Sequence, residues 1–101
     1  VLNSAKTIVS CSLPSDQINS TREFIRTIEQ ELGVKIDLDA KSHKSEREYS
    51  ADAIYLIAAV ITIIAEGDVA YSKTKTAANK IVAWLKGNGV KSSILMPNEQ
   101  N

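Results

Sequence analysis

The chain has 101 residues, enough for one domain with a single core and too few for a core plus a large catalytic cleft. Twelve Lys/Arg balance twelve Asp/Glu, a neutrality unlike the basic excess of a dedicated nucleic-acid binder. One cysteine, Cys11, excludes an internal disulfide and fits a reducing, cytoplasmic compartment.

The first element is the alternating stretch TIVSCSL. Val9, Cys11 and Leu13 share one side of a half-buried strand, and Pro14 ends it. Ahead of it, the first twelve residues lack a basic segment followed by an apolar run, so no secretory leader is expected. A helix follows, capped by Ser15 or by Ser20, which has capping-box spacing to Glu23. Its apolar stripe is Ile18, Ile25, Ile28 and Leu32, and Gly33 is its natural C-cap. The stretch VKIDLDA alternates again, with Val34, Ile36 and Leu38 inward and Lys35, Asp37 and Asp39 outward. This β-α-β opening predicts a parallel pair of strands.

Residues 40–50, AKSHKSEREYS, show no period and read as a polar loop. The next segment, Ala51 to Glu66, contains five alanines and is apolar nearly all round. It predicts a buried central helix capped by Ser50. Its apolar core, Ala53 to Ala65, is thirteen residues and falls short of the roughly 20 that span a bilayer. Gly67-Asp68 turns the chain into a last helix, from about Val69 to Lys86, with Ala77, Ala78, Ile81, Val82 and Leu85 inward. Gly87 and Gly89 bracket its end. VKSSILM forms the final strand, closed by Pro97. Residues 1–97 are read as one domain and 98–101 as a frayed tail.

One motif bears on nucleotide chemistry. GDVAYSKT, Gly67 to Thr74, approaches the phosphate-cradling pattern G-x-x-x-x-G-K-[ST], with Lys73 and Thr74 as the candidate ligands. Ser72 stands where the second glycine belongs, and its Cβ resists the positive φ that such a loop can need. The helix is expected to begin well before Lys73, and the segment ahead reads as a helix rather than a strand. The structural reading, a helix start with lysines on its face, is favoured, and no cofactor is assigned. One His and one Cys do not make a metal site, so none is assigned. His43 belongs to the polar loop, and Cys11 reads as a small apolar strand residue. Asp37 and Asp39 share a strand face, where carboxylates commonly blunt an edge.

Charge is divided along the chain. Residues 1–68 hold seven Lys/Arg and eleven Asp/Glu, while 69–101 hold five Lys and one Glu. The basic final third, with Lys73, Lys75, Lys80, Lys86 and Lys91, is either a solvated face or a patch for an acidic partner. Trp84, between Lys80 and Lys86, reads as a core-edge residue that could otherwise stack on a partner.

The second half, from ADAIYLIAAVITIIAEGDVAYSKTKTAANK to IVAWLKGNGVKSSIL, resembles the effector-associated constant component family. The likeness is that an Ala/Ile-rich helix leads through a small turn to a helix ending in AWLK and then to a strand. Members are small bacterial domains assigned to multi-component conflict systems. The resemblance implies an accessory role without catalytic residues.

These readings predict an α/β (α+β) two-layer sandwich, β-α-β-α-α-β, with a three-stranded mixed sheet and helices mainly on one face. The expected function is a non-enzymatic protein-interaction or regulatory module. The alternatives are nucleic-acid binding by the basic third and nucleotide binding at Gly67–Thr74. The candidate interaction surface is Lys73, Lys80, Trp84, Lys86 and Ile94. An uncharged first strand is expected at the sheet centre, which leaves the final strand as an open edge and predicts a homodimer with Ser92 to Leu95 near the contact.

Overall fold

The computed structural model describes residues 4–41 and 54–95. Its elements are β1 (Ser4–Pro14), a 3-10 turn at Ser15–Gln17, α1 (Ile18–Leu32), β2 (Lys35–Lys41), β3 (Leu56–Glu66), α2 (Ala70–Gly87) and β4 (Ser92–Leu95). The four strands form one sheet in the order β2-β3-β1-β4, and every neighbouring pair is antiparallel. This β-α-β-β-α-β order is the ferredoxin-like arrangement. The small α+β, two-layer reading holds. The three-stranded mixed sheet does not.

The discrepancy lies in one segment. The stretch read as a central helix is a strand over Leu56–Glu66, and its side chains alternate strictly. Ile57, Ala59, Ile61, Ile63 and Ala65 are buried, and Leu56, Val60 and Ile64 are exposed. β-Branched Val60, Ile61, Thr62, Ile63 and Ile64 favour the pleated surface. The apolar character all round, read as helical, comes from a central strand whose second face is also apolar. β3 inserts between β1 and β2, so the parallel pair expected at the opening is separated by a strand. Residues 42–50 of the polar loop, Ser50 as a cap, residues 51–53 and Pro97 with the tail lie outside the described residues.

The other elements follow their patterns. Ile25 and Ile28 of α1 are buried, and Gly33 closes the helix at φ 69°, its N–H donating to the Glu29 carbonyl at 2.9 Å. The capping box does not form. Ser20 lies inside the helix, where its hydroxyl donates to the Gln17 carbonyl at 3.3 Å. Ser15 instead accepts the Tyr55 N–H at 3.2 Å and ties the ends of β1 and β3 together. Ala77, Ala78, Ile81 and Leu85 of α2 are fully buried. Both helices pack with Val9, Leu13, Leu38, Ile61 and Ile63 in one cluster on one face of the sheet. Removing this apolar surface from water is the main stabilising term.

Candidate interaction surfaces

Among the described residues, no helix packs on the other sheet face. Its outward residues follow from the register. Ile64 sits between Lys35 and Lys6, and Thr62 between Asp37 and Ile8, with Leu95 beyond. Val60 sits between Asp39 and Ser10, with Ser93 beyond. Leu56 (68% exposed), Ile64 (40%), Val60 (36%) and Leu95 (61%) therefore form an apolar strip flanked by the charges of β2 and the serines of β1. Asp37 and Asp39 are exposed on this face, as part of its rim.

The two sheet edges differ in chemistry. At β2, the Ile36 N–H donates to the Glu29 carboxylate at 2.8 Å, and Arg22 donates to the Leu38 carbonyl at 3.4 Å. Glu29 and Arg22 lie seven apart on α1, two turns on one face, which lets both overhang the same strand. They occupy backbone groups that would otherwise bond an added strand. Among the described residues, no side chain bonds the backbone of β4. Sequence reading did not find this closure. Its signal was the spacing of Arg22 and Glu29 on the helix ahead of an edge strand.

The basic third does not form one patch. At about 100° per residue, Lys73, Lys80 and Trp84 share the flank of α2 turned toward α1. Lys75, Val82 and Lys86 lie roughly half a turn away, toward β4. Trp84 stacks on Phe24 of α1, with ring centroids 4.9 Å apart and planes within 9°. That face of the indole is spent inside the molecule, in a pair worth about 0.5–1.5 kcal/mol beyond its buried area. Ile94 packs against the core rather than facing solvent. Its neighbour Leu95 holds the exposed position.

At Gly67–Thr74, β3 does precede the motif, contrary to the sequence reading. Only Gly67, Asp68 and Val69 separate strand from helix, and α2 begins at Ala70. Gly67 turns at φ 107°. Thr74 is fully buried, and its hydroxyl donates to the Tyr71 carbonyl at 3.1 Å. Lys73 points to the end of α1, where a Cβ on Gly33 would lie 3.9 Å from its Nζ. A cation there complements the carboxyl end of the helix dipole. Lys73→Ala should therefore cost no more than about 0.3–1 kcal/mol. It should also leave unchanged any melting shift caused by ATP or GTP with magnesium. A nucleotide-dependent stabilisation of the wild type that vanishes in this variant would reinstate the phosphate loop.

Cys11 is half-buried, and burial pushes its thiol up from the ordinary value, which keeps it protonated and poorly nucleophilic. His43 lies outside the described residues. No helix among the described residues is long and apolar enough to cross a membrane.

No protein-family model matches the sequence, and no curated protein matches it. Solved structures do match. The de novo designed protein Foldit4 superposes with a TM-score of 0.73 at 6% identity, covering 97% of this chain and 100% of the design. A hydantoinase/carbamoylase family amidase from Burkholderia ambifaria has a TM-score of 0.62 at 8% identity and covers 94% of this chain. This chain spans 27% of that amidase. The 30S ribosomal protein S6 from Thermotoga maritima has a TM-score of 0.56 at 10% identity, covering 93% of this chain and 88% of that protein. At such identities these likenesses are of fold alone.

Proposed function

We propose that the chain is a non-enzymatic protein-interaction or regulatory module. The observation that carries this reading is the exposed apolar strip of Leu56, Val60, Ile64 and Leu95. Contiguous exposed apolar surface rimmed by polar residues marks interaction sites. An accessory role in a bacterial conflict system is the setting that the family resemblance implies, and a cytoplasmic location suits a lone thiol. Nucleic-acid recognition finds less support. The described strands carry no aromatic side chain to stack a base, and the lysines of α2 divide between two flanks.

The test is a double variant, Val60→Lys with Ile64→Asp. Both positions are on the open face, so the melting temperature should stay within a few degrees of wild type. Proteins retained from native lysate by the wild type should be lost from this variant. An unchanged set of bound proteins would place the functional surface elsewhere.

A further inference from the structure

We infer that the β4 edge accepts an acidic, extended peptide segment as a fifth strand. This deepens the interaction-module reading and rests on it, adding a second surface and the chemistry of the partner. The direction of the backbone groups follows from β2. In an antiparallel ladder the N–H and C=O of one residue point to the same side, and the side alternates along the strand. Ile36 and Leu38 point away from β3, toward Glu29 and Arg22. The bonded pairs between β2 and β3 are therefore at Lys35, Asp37, Asp39 and Lys41. Carried through the register, β3 bonds β1 at Val9 and Cys11, and β1 bonds β4 at Ile8–Leu95 and Ser10–Ser93. Ser92 and Ile94 are left with their N–H and C=O directed outward.

A strand laid along this edge meets a groove lined by Val82, Lys86, Gly89, Val90, Lys91 and Ser92. Its floor can take aliphatic side chains, and Lys86 and Lys91 border it. The wider field has the same sign. β1 and the run from Ala70 to Leu95 carry six lysines and no Asp or Glu. The remaining described residues, 15–41 and 54–69, carry eight Asp/Glu and four Lys/Arg. A second copy pairing through β4 would bring the lysines of both edges together. An acidic segment meets them with opposite charge, which speeds encounter and selects the partner. Main-chain bonds then supply affinity and alternate side chains specificity, as in other strand additions.

The probe is a short fluorescein-labelled peptide alternating glutamate and valine, with a lysine–valine peptide and an oligothymidylate as controls. Saturable binding of the glutamate peptide is expected, weakened at least about tenfold by Ser92→Pro, which removes an outward N–H while sparing the bonds to β1. The pair Lys86→Glu with Lys91→Glu should weaken it comparably. Should Ser92→Pro fail to fold, amide exchange on the wild type decides, because bound peptide must slow the Ser92 and Ile94 amides. Equal binding of both peptides, or no slowing at those amides, overturns the inference. A concentration-dependent doubling of mass without peptide binding would make the occupant a second copy. Oligothymidylate binding that survives Ser92→Pro but not charge reversal would make it nucleic acid. Peptide failure alongside loss of lysate partners in the open-face variant would sink this inference and leave the interaction-module reading intact.

Discussion

Ile61→Asp should abolish folding, and Ile64→Asp, three residues on, should be close to neutral. Ile61 is 0% exposed and pairs across the ladders with Val9 and Leu38, both buried. The side chains directly opposite a carboxylate there are apolar, and a buried unpaired charge costs several kcal/mol. A domain of this size has only about 5–15 kcal/mol of stability to lose. Ile64 points to the other face, between Lys6 and Lys35. Aspartate there gains two cross-strand lysines, each pairing worth about 0.2–1 kcal/mol, which offsets the lost apolar contact. On a helix, Ile57, Ile61 and Ile64 would share one buried stripe, and both substitutions would be severe. Circular dichroism melts of the two variants therefore separate strand from helix. A cooperative wild-type-like melt for Ile61→Asp would remove β3 from the core.

That contrast marks where sequence reading stopped. α1, α2 and the strands β1 and β2 were legible because each buries one side only, so burial imprints a period of about 3.6 or 2 on the residues. β3 buries Ile57, Ala59, Ile61, Ile63 and Ala65 while Val60 and Ile64 are exposed on its other face. Two apolar faces erase the alternation, and the alanine count then favoured a helix. The edges fared better. β1, whose stretch Thr7 to Leu13 carries no charge, is central, and β2 and β4 are the edges, as the placement of charge implied. The sidedness of the surface was not legible. Grouping Ile94 with Lys73, Lys80, Trp84 and Lys86 joined residues from both flanks of α2 with one that packs against the core. Closure of the β2 edge by Arg22 and Glu29 needs the tertiary contact of α1 with β2, which their spacing on α1 suggests but does not fix.

Leu85→Ala should be among the most damaging simple truncations on α2, at about 2–5 kcal/mol. Leu85 is 0% exposed, so the substitution removes buried methyl groups and leaves a cavity in the core. The residue also stands where α2 hands the chain to β4. Its carbonyl accepts the Val90 N–H and the Asn88 N–H, each at 2.9 Å, and Gly89 turns between them at φ 78°. Relaxation around the cavity is therefore transmitted to the turn that fixes the register of Ser92–Leu95 against β1. At roughly 4–8 °C per kcal/mol for a domain of this size, the melting temperature should fall by about 10 °C or more. Val82→Ala is the matched control. Val82 is half-buried on the flank of the same helix, and its truncation should cost less than about 1.5 kcal/mol. Urea titrations with equal slopes would measure both differences. If Leu85→Ala proves no worse than Val82→Ala, α2 is not seated on the sheet through Leu85, and the geometry that presents the β4 edge has another anchor.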